Sequence, residues 1–521
     1  MRECAEASPA NASTWEQARM TGRLKGFFQS FAAETRGAVM IVFAAALIPL
    51  LVGVGLSVDY SRALTVKQRL GQALDAAALA AGSWPDLTET QIETKVQEFL
   101  TANYPSLIEG SPSSFSVTKT DEVISITASS NVDTVFLKLA GINQVDVTSF
   151  TEVALKQKKI ELVMVLDNTG SMSWSGKIDA LRDAATTMVE ILKPGSGSAA
   201  NSEDVKIGLV PFAAAVNIGA DKLGSGWLDE TAQTPIATED FQPGTNPLTL
   251  YGQITDHNWN GCVRARAAPY DTQDDPPSTG NPNTLWVPYF APDEPDFYWY
   301  SNRYASDNGY GGSYWDYDAR QRYAGKYVNL TIGSGSDGPD FNCKTSPLTP
   351  LTATKSTILL GINQMIASGN TVIPAGLAWG WRVISPGIPF TEGAAYDDTD
   401  VVKAIILLTD GENMVSGGMG THNRSQYSAY GYARSGHLGA TSGWQAEEML
   451  DSKTAQLCTN IKAQGIRLYT ITFQLSDGPI KDLMRDCATE PAMYYDSPSN
   501  AELETVFEDI AKGLNDLRIS K

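Results

Sequence analysis

The sequence predicts an α/β protein whose main domain is a doubly wound, mostly parallel sheet, preceded by one membrane-spanning helix and a small α+β module. Three observations carry that prediction. From residue 158 onward, short runs of branched apolar residues alternate with stretches of helical period, as in a sheet covered on both faces. One uncharged run, Gly37–Val58, is long enough to cross a bilayer. A stretch at about 220–351, rich in Pro, Gly, Tyr, Trp and Asp, breaks the strand–helix rhythm and reads as a large folded insertion.

Residues 1–36 read as a cytoplasmic tail. The run that follows, GAVMIVFAAALIPLLVGVGLSV at 37–58, makes about 33 Å of helix against a hydrocarbon core of ~30 Å. Pro49 interrupts it, which a helix in lipid tolerates better than one in water. A cleaved signal peptide would have a shorter apolar region and would not follow so long a polar tail. Flanking charge orients the span weakly: Arg19, Arg23, Lys25 and Arg36 precede it, and Arg62, Lys67 and Arg69 follow.

Residues 59–157 form the small module. Tyr60–Ala81 continues as an Ala-rich amphipathic helix with Leu64, Leu70, Leu74 and Ala78 near one face. A helix at 88–103 follows, then alternating strands in SFSVTK and VISITA, a short helix around Val135–Leu139, and a strand near Val145–Val153.

Residues 158–520 form the main domain. Ile160–Leu166, apolar except for Glu161, reads as a central strand. A helix over Ile178–Leu192 and a strand at Val205–Phe212 follow. Beyond the insertion come helices at Thr357–Ala367 and Ile373–Ile384, a strand at Val402–Leu408, a helix at Trp444–Ala463, a strand at Ile466–Phe473 and a helix at Ile480–Ala488. The last helix opens on Ser499 with Glu502 three residues on, a capping box.

Charge excludes one partner class. With 39 basic and 59 acidic residues the net charge is −20, the wrong sign for a nucleic-acid binder. Of five cysteines, Cys4 stands alone before the apolar run, leaving Cys262, Cys343, Cys458 and Cys487 beyond it. An even number on one side of a membrane favours two disulfides, Cys262–Cys343 and Cys458–Cys487, over four buried thiols.

The chemistry-bearing residues sit at strand ends. Ile160–Leu166 opens into Asp167-Asn168-Thr169-Gly170-Ser171-Met172-Ser173, which presents Asp167, Thr169 and Ser171 at alternate positions of one loop. Val402–Leu408 ends in Thr409-Asp410-Gly411, and Gly369-Asn370-Thr371 joins two helices in between. In a parallel sheet, ligands gather at the carboxyl ends of strands. Carboxylates with neutral hydroxyls are hard oxygen donors, suited to Mg²⁺, Mn²⁺ or Ca²⁺ and not to zinc. His257, His422 and His437 are scattered and show no zinc spacing.

This pattern resembles the metal-ion-dependent adhesion site (MIDAS) of von Willebrand factor type A domains, D-x-S-x-S followed by a later Thr and a later Asp. Asp167, Ser171, Thr371 and Asp410 match directly, and Thr169 replaces the first Ser while keeping its hydroxyl. The resemblance implies a Rossmann-like fold over about 158–515 and a cation, Mg²⁺ first, with a coordination position left for an acidic side chain of a protein partner. Asp167-Asn168-Thr169-Gly170 also resembles the D-K-T-G loop of ion-pumping ATPases and the D-T-G of aspartic proteases. The first needs Lys at Asn168 and more spans, the second a partner motif that the sequence lacks. A binding protein, not an enzyme, is expected.

The segment TRGAVMIVFAAALIPLLVGVGLSVDYSRALTVKQRLGQALDAAALAAG resembles TadE/TadG-like pilus-assembly proteins, of which the TadG type ends in an A domain. WNGCVRARAAPYD and VPYFAPDEPD, inside the insertion, resemble the TadG type as well. Gln29 stands where prepilin processing would need Gly, so the anchor is expected to be kept. The resemblance implies a component of a bacterial tight-adherence (Flp) pilus system, anchored in the inner membrane with its bulk in the periplasm or envelope. Its partner would be a pilus or envelope component; the alternative is a non-pilus surface adhesin using the same site. The acidic, aromatic run Asp293, Glu294, Asp296, Tyr298, Trp299 and Tyr300 is a candidate partner surface or metal lid, or else a packed insertion with a solvated rim.

Overall fold

The apolar run and the Ala-rich stretch after it form one unbroken helix, α1 (Ala38–Gly82), with Pro49 inside it. Here the protein is described by a computed structural model covering residues 38–82, 87–103, 112–120, 123–154, 158–197, 201–296, 302–415 and 421–519. The tail and its basic residues, Cys4, and Tyr298, Trp299 and Tyr300 lie outside the described residues. Two compact units emerge, Met1–Lys156 and Gln157–Lys521.

In the first unit, α1 is long and apolar enough to cross a membrane, with a mean hydropathy of 2.1 in its most apolar window. Its second half buries a stripe, Leu70, Leu74, Ala77, Ala78 and Ala81, against α2 (Glu89–Asn103) and a three-stranded antiparallel sheet. α2 starts on a reciprocal cap: Gln91 N donates to Thr88 Oγ1 (3.4 Å) and Thr88 N to Gln91 Oε1 (2.9 Å). The sheet consists of β1 (Pro112–Lys119), β2 (Val123–Asp133) and β3 (Gln144–Ala154). Ile124, Ile126 and Ala128 alternate inward along β2, the period that commits one face to the core.

The second unit is built on β4 (Lys159–Asp167), whose residues from Ile160 to Asp167 are all buried. Leu162, Met164 and Leu166 point to one core, with α3 (Lys177–Leu192) and the final helix; Val163 and Val165 point to the other. Next come β5 (Val205–Phe212), the two-residue β6 (Val216–Asn217) and β7 (Cys262–Val263), and β8 (Thr349–Thr352). Then follow α4 (Lys355–Asn363), α5 (Ile373–Ile384), β9 (Val401–Thr409), α6 (Gly443–Ala463), β10 (Arg467–Phe473), α7 (Pro479–Cys487), β11 (Tyr494–Ser497) and α8 (Asn500–Ile519).

The strand order is β11-β10-β9-β4-β5-β6-β7, with β8 also on β5. The five strands from β11 to β5 run parallel, while β6, β7 and β8 pair antiparallel. The sheet is therefore mixed, where the sequence led us to expect a mostly parallel one. The three antiparallel strands flank or belong to the insertion, and at two to four residues each they are too short to show a period.

The insertion folds with little regular structure. Its aromatic residues Trp227, Phe241, Tyr251, Trp286, Phe290 and Tyr327 are buried and join the core on the Val163/Val165 face of the sheet. Ring centroids of Trp286 and Trp379 lie 5.0 Å apart, and those of Tyr251 and Phe290 4.9 Å. Both expected disulfides are present: Cys262–Cys343 spans 81 residues within this region, and Cys458–Cys487 ties α6 to α7.

Of the readings open for the acidic run, packing within the insertion is the one that holds for Asp293 and Glu294. Asp293 and Glu294 are not surface groups: they are 0% and 3% exposed. Asp293 pairs with Lys326 (2.9 Å) and accepts the backbone N–H groups of Tyr304 and Ala305; Glu294 accepts from the Tyr432 hydroxyl (2.9 Å). Sequence alone does not separate a solvated acidic run from one whose counter-charge, here Lys326, arrives from 33 residues away.

Candidate metal centre

Parallel pairing of β4 with β9 brings their carboxyl ends side by side, with Leu166 opposite Leu408. The next residues are Asp167 on one strand and Thr409-Asp410 on the other, so two carboxylates leave the sheet at one edge. Asp167 is wholly buried. Its Oδ1 accepts Thr169 N (2.8 Å), and its Oδ2 accepts the Thr409 hydroxyl (2.8 Å) and Asp410 N (3.4 Å).

From Asp167 a chain of polar contacts runs outward. Thr169 Oγ1 and Ser171 Oγ are 2.9 Å apart, and Ser171 Oγ donates to Asp410 Oδ1 at 2.5 Å. The loop itself is pinned by backbone bonds, Gly170 N to Gly369 O and Ser368 N to Asn168 O, both 2.8 Å. These bonds bring the segment carrying Thr371 to the same edge. The Thr371 hydroxyl faces Gly411, where an added Cβ would lie 3.6 Å from it, and its carbonyl accepts Met414 N (2.8 Å). Four of the five expected residues are thus hydrogen-bonded together, and the fifth, Thr371, lies beside Gly411, the residue that follows Asp410.

Burial, and then the nearby Asp410 charge, push the Asp167 carboxyl up to about 7. Two carboxylates held this close favour any cation that neutralises them. Lys177, at the first position of α3, supplies such a charge: its Nζ lies 2.8 Å from Asp410 Oδ2 and 5.9 Å from the Phe473 ring centroid. The sequence reading missed Lys177. The signal was available, because a cation on the first turn of a helix opposes the helix dipole and calls for another reason to be there.

The donor set fits a hard divalent cation: two carboxylates and three hydroxyls, with no sulfur or imidazole among them. Among the described residues no three Asp, Glu, His or Cys side chains converge as a metal cluster, so Asp167 and Asp410 need the hydroxyls to complete a shell. The histidines lie elsewhere: His257 contacts Asp256 (3.1 Å), and buried His437 lies beside Arg264 and the Arg266 carbonyl.

Residues 37–83 match the family described as "Tad: Putative Flp pilus-assembly TadE/G-like", which bears out the reading of that segment. No curated protein matches the chain. Among solved structures, the pilus adhesin SpaC of Lactobacillus rhamnosus GG is 12% identical, with a TM-score of 0.33 over 78% of this chain and 34% of SpaC. The vWF domain of the type V pili tip protein Mfa5 of Porphyromonas gingivalis is 10% identical, with a TM-score of 0.33 over 70% of this chain and 98% of that domain. The pilus adhesin RrgA of Streptococcus pneumoniae is 10% identical, with a TM-score of 0.32 over 77% of this chain and 49% of RrgA. This chain thus spans about a third of SpaC and half of RrgA. The fold is therefore read from the sheet itself.

Proposed function

We propose that this chain, which carries a TadE/G-like segment at residues 37–83, is a membrane-anchored binding component of a bacterial Flp pilus system and binds its partner through a divalent cation. Gly37–Val58 crosses the inner membrane with the N-terminus in the cytoplasm, and the second unit works in the periplasm or envelope. Two disulfides support an oxidising compartment.

The observation that carries the cation reading is the convergence of Asp167, Thr169, Ser171 and Asp410 through bonds of 2.5 to 2.9 Å, where β4 and β9 end together. Those four and Thr371 would hold the ion, Mg²⁺ ahead of Mn²⁺ or Ca²⁺. Bound there, the ion would offer a coordination position to a carboxylate of a pilus or envelope protein. Lys177 competes for Asp410 and sets how readily the site takes a cation. The protein is read as a binder and not an enzyme.

Calorimetric titration of the detergent-solubilised full chain with Mg²⁺ tests this. Asp167→Ala is expected to abolish binding, and Lys177→Met to tighten it by freeing Asp410. A pull-down from membranes should lose its partner in chelator. Equal partner recovery by wild type and Asp167→Ala, with and without chelator, would refute the metal-dependent mechanism.

A further inference from the structure

The buried face of α1 begins inside the apolar run. Gly55, Asp59, Ala63, Val66, Leu70 and Leu74 are buried at steps of three or four residues, whereas the described side chains before Gly55 are exposed. From Ala38 to Val54 the helix covers about 26 Å, short of a hydrocarbon core of ~30 Å. A bilayer that begins after Arg36 therefore reaches past Gly55, to the level where the module first touches the helix.

What touches there is the tip of the β2–β3 hairpin, residues 134–143. A Cβ on Gly55 would fall on the side chain of Phe136, so only glycine lets the two approach this closely. Both Asp59 oxygens face the tip and accept the N–H groups of Val135, Phe136 and Leu137 at 3.0, 2.9 and 2.8 Å. Thr134 N donates to Asn143 O (3.0 Å), Gly141 N to Lys138 O (3.1 Å) and Ile142 N to Leu137 O (3.1 Å). The backbone polarity of the tip is turned inward, while Val135, Phe136 and Ile142 stand 55%, 42% and 47% exposed. Asp59 thus caps the short helical turn Leu137–Ala140 from α1. The N–H groups of Thr134 to Leu137, Gly141 and Ile142 are met within the protein, which a tip beside lipid requires because no water satisfies them there.

We infer that this tip is a bilayer-docking loop. Val135, Phe136 and Ile142 enter the edge of the hydrocarbon, and exposed Lys138 meets the headgroup phosphates. The inference rests on the reading that Gly37–Val58 crosses a membrane. It adds that the module sits on the bilayer and that Asp59 holds the loop at a fixed depth.

The test uses the full chain with Cys4→Ser, reconstituted in vesicles of phosphatidylcholine and phosphatidylglycerol. A single cysteine at Val135, Ile142 or, as control, exposed Phe150 on β3 carries an environment-sensitive fluorophore. Labels at 135 and 142 are expected to be blue-shifted and quenched by lipids with spin labels high in the acyl chain; the label at 150 is not. In the unaltered chain, a photoactivatable phospholipid should cross-link within 134–143 and not within 148–152. Retention of the chain on carbonate-washed vesicles with no difference between the three labels, and no cross-link, overturns the loop alone. Release by carbonate overturns the anchor reading and the loop with it.

Discussion

The sheet and the insertion of the second unit are held together in different ways. In the sheet, strand ladders satisfy the backbone, and alternate apolar side chains feed two cores. The insertion has few ladders, so buried charged side chains take over the backbone's hydrogen bonds. Arg266 donates to the carbonyls of Tyr270 (2.9 Å), Asp275 (2.6 Å) and Gln273 (2.6 Å) while its guanidinium lies 4.6 Å from the centre of the Trp286 ring. Asp229 accepts Gln233 N and Thr234 N, and Asp293 accepts Tyr304 N and Ala305 N. A region stabilised by apolar area tolerates changes of charge environment. One stabilised by buried ions depends on every partner being present.

The largest expected effect separates the two directly. Asp293→Ala leaves Lys326 buried and unpaired, at a cost of about 3–5 kcal/mol. The insertion should become protease-sensitive while amides of β4 and β9 stay protected from exchange. Leu162→Ala, at a cost of about 2–5 kcal/mol from the lost packing and the cavity left behind, should instead speed exchange across the sheet. If both variants open both regions together, the distinction is wrong.

Acid provides the next test. Burial lifts the Glu294 carboxyl to about 7 from its ordinary 4.5. The folded protein then holds a proton that the unfolded chain has released between those two values. Stability from this group is therefore greatest below about 4.5, falls as pH rises through the window, and stays low above 7. The span is of order 3 kcal/mol. Glu294→Gln should flatten that part of the profile in denaturant titrations at pH 5 and pH 8; an unchanged slope would remove Glu294 as its source.

The smallest contrast lies between the two disulfides. Cys262–Cys343 closes a loop of 81 residues and Cys458–Cys487 one of 29. Loop-closure entropy makes loss of the first the costlier by about 1 kcal/mol. Denaturation midpoints of Cys262→Ser/Cys343→Ser and Cys458→Ser/Cys487→Ser would show it. The reverse order would mean that the insertion keeps structure when unfolded.

Much of the sheet was legible because its strands are long and apolar. Val205–Phe212 and Ile373–Ile384 coincide with β5 and α5, and Ile160–Leu166 and Val402–Leu408 fall one residue short of β4 and β9 at each end. β6, β7 and β8 were not legible, since their pairing is set by distant partners and not by local period. At the candidate site, the residues that follow apolar strands could be read from the sequence; Lys177 could be singled out by its place on a first helical turn, but its partner Asp410, 233 positions away, could not. Whether Asp293 is packed or exposed could not be read, because its partner Lys326 leaves no trace in the neighbouring sequence.

The continuity of α1 has a mechanical consequence. The helix runs from Ala38 to Gly82 without a break, so the part beyond Val58 is a rigid arm of about 36 Å. If the span tilts by an ordinary ~20°, the far end of that arm swings sideways by about 12 Å. For a helix anchored as proposed, a change of tilt would thereby become lateral displacement of the arm's far end. The hairpin tip braced on Gly55 and Asp59 sits near the pivot of that lever.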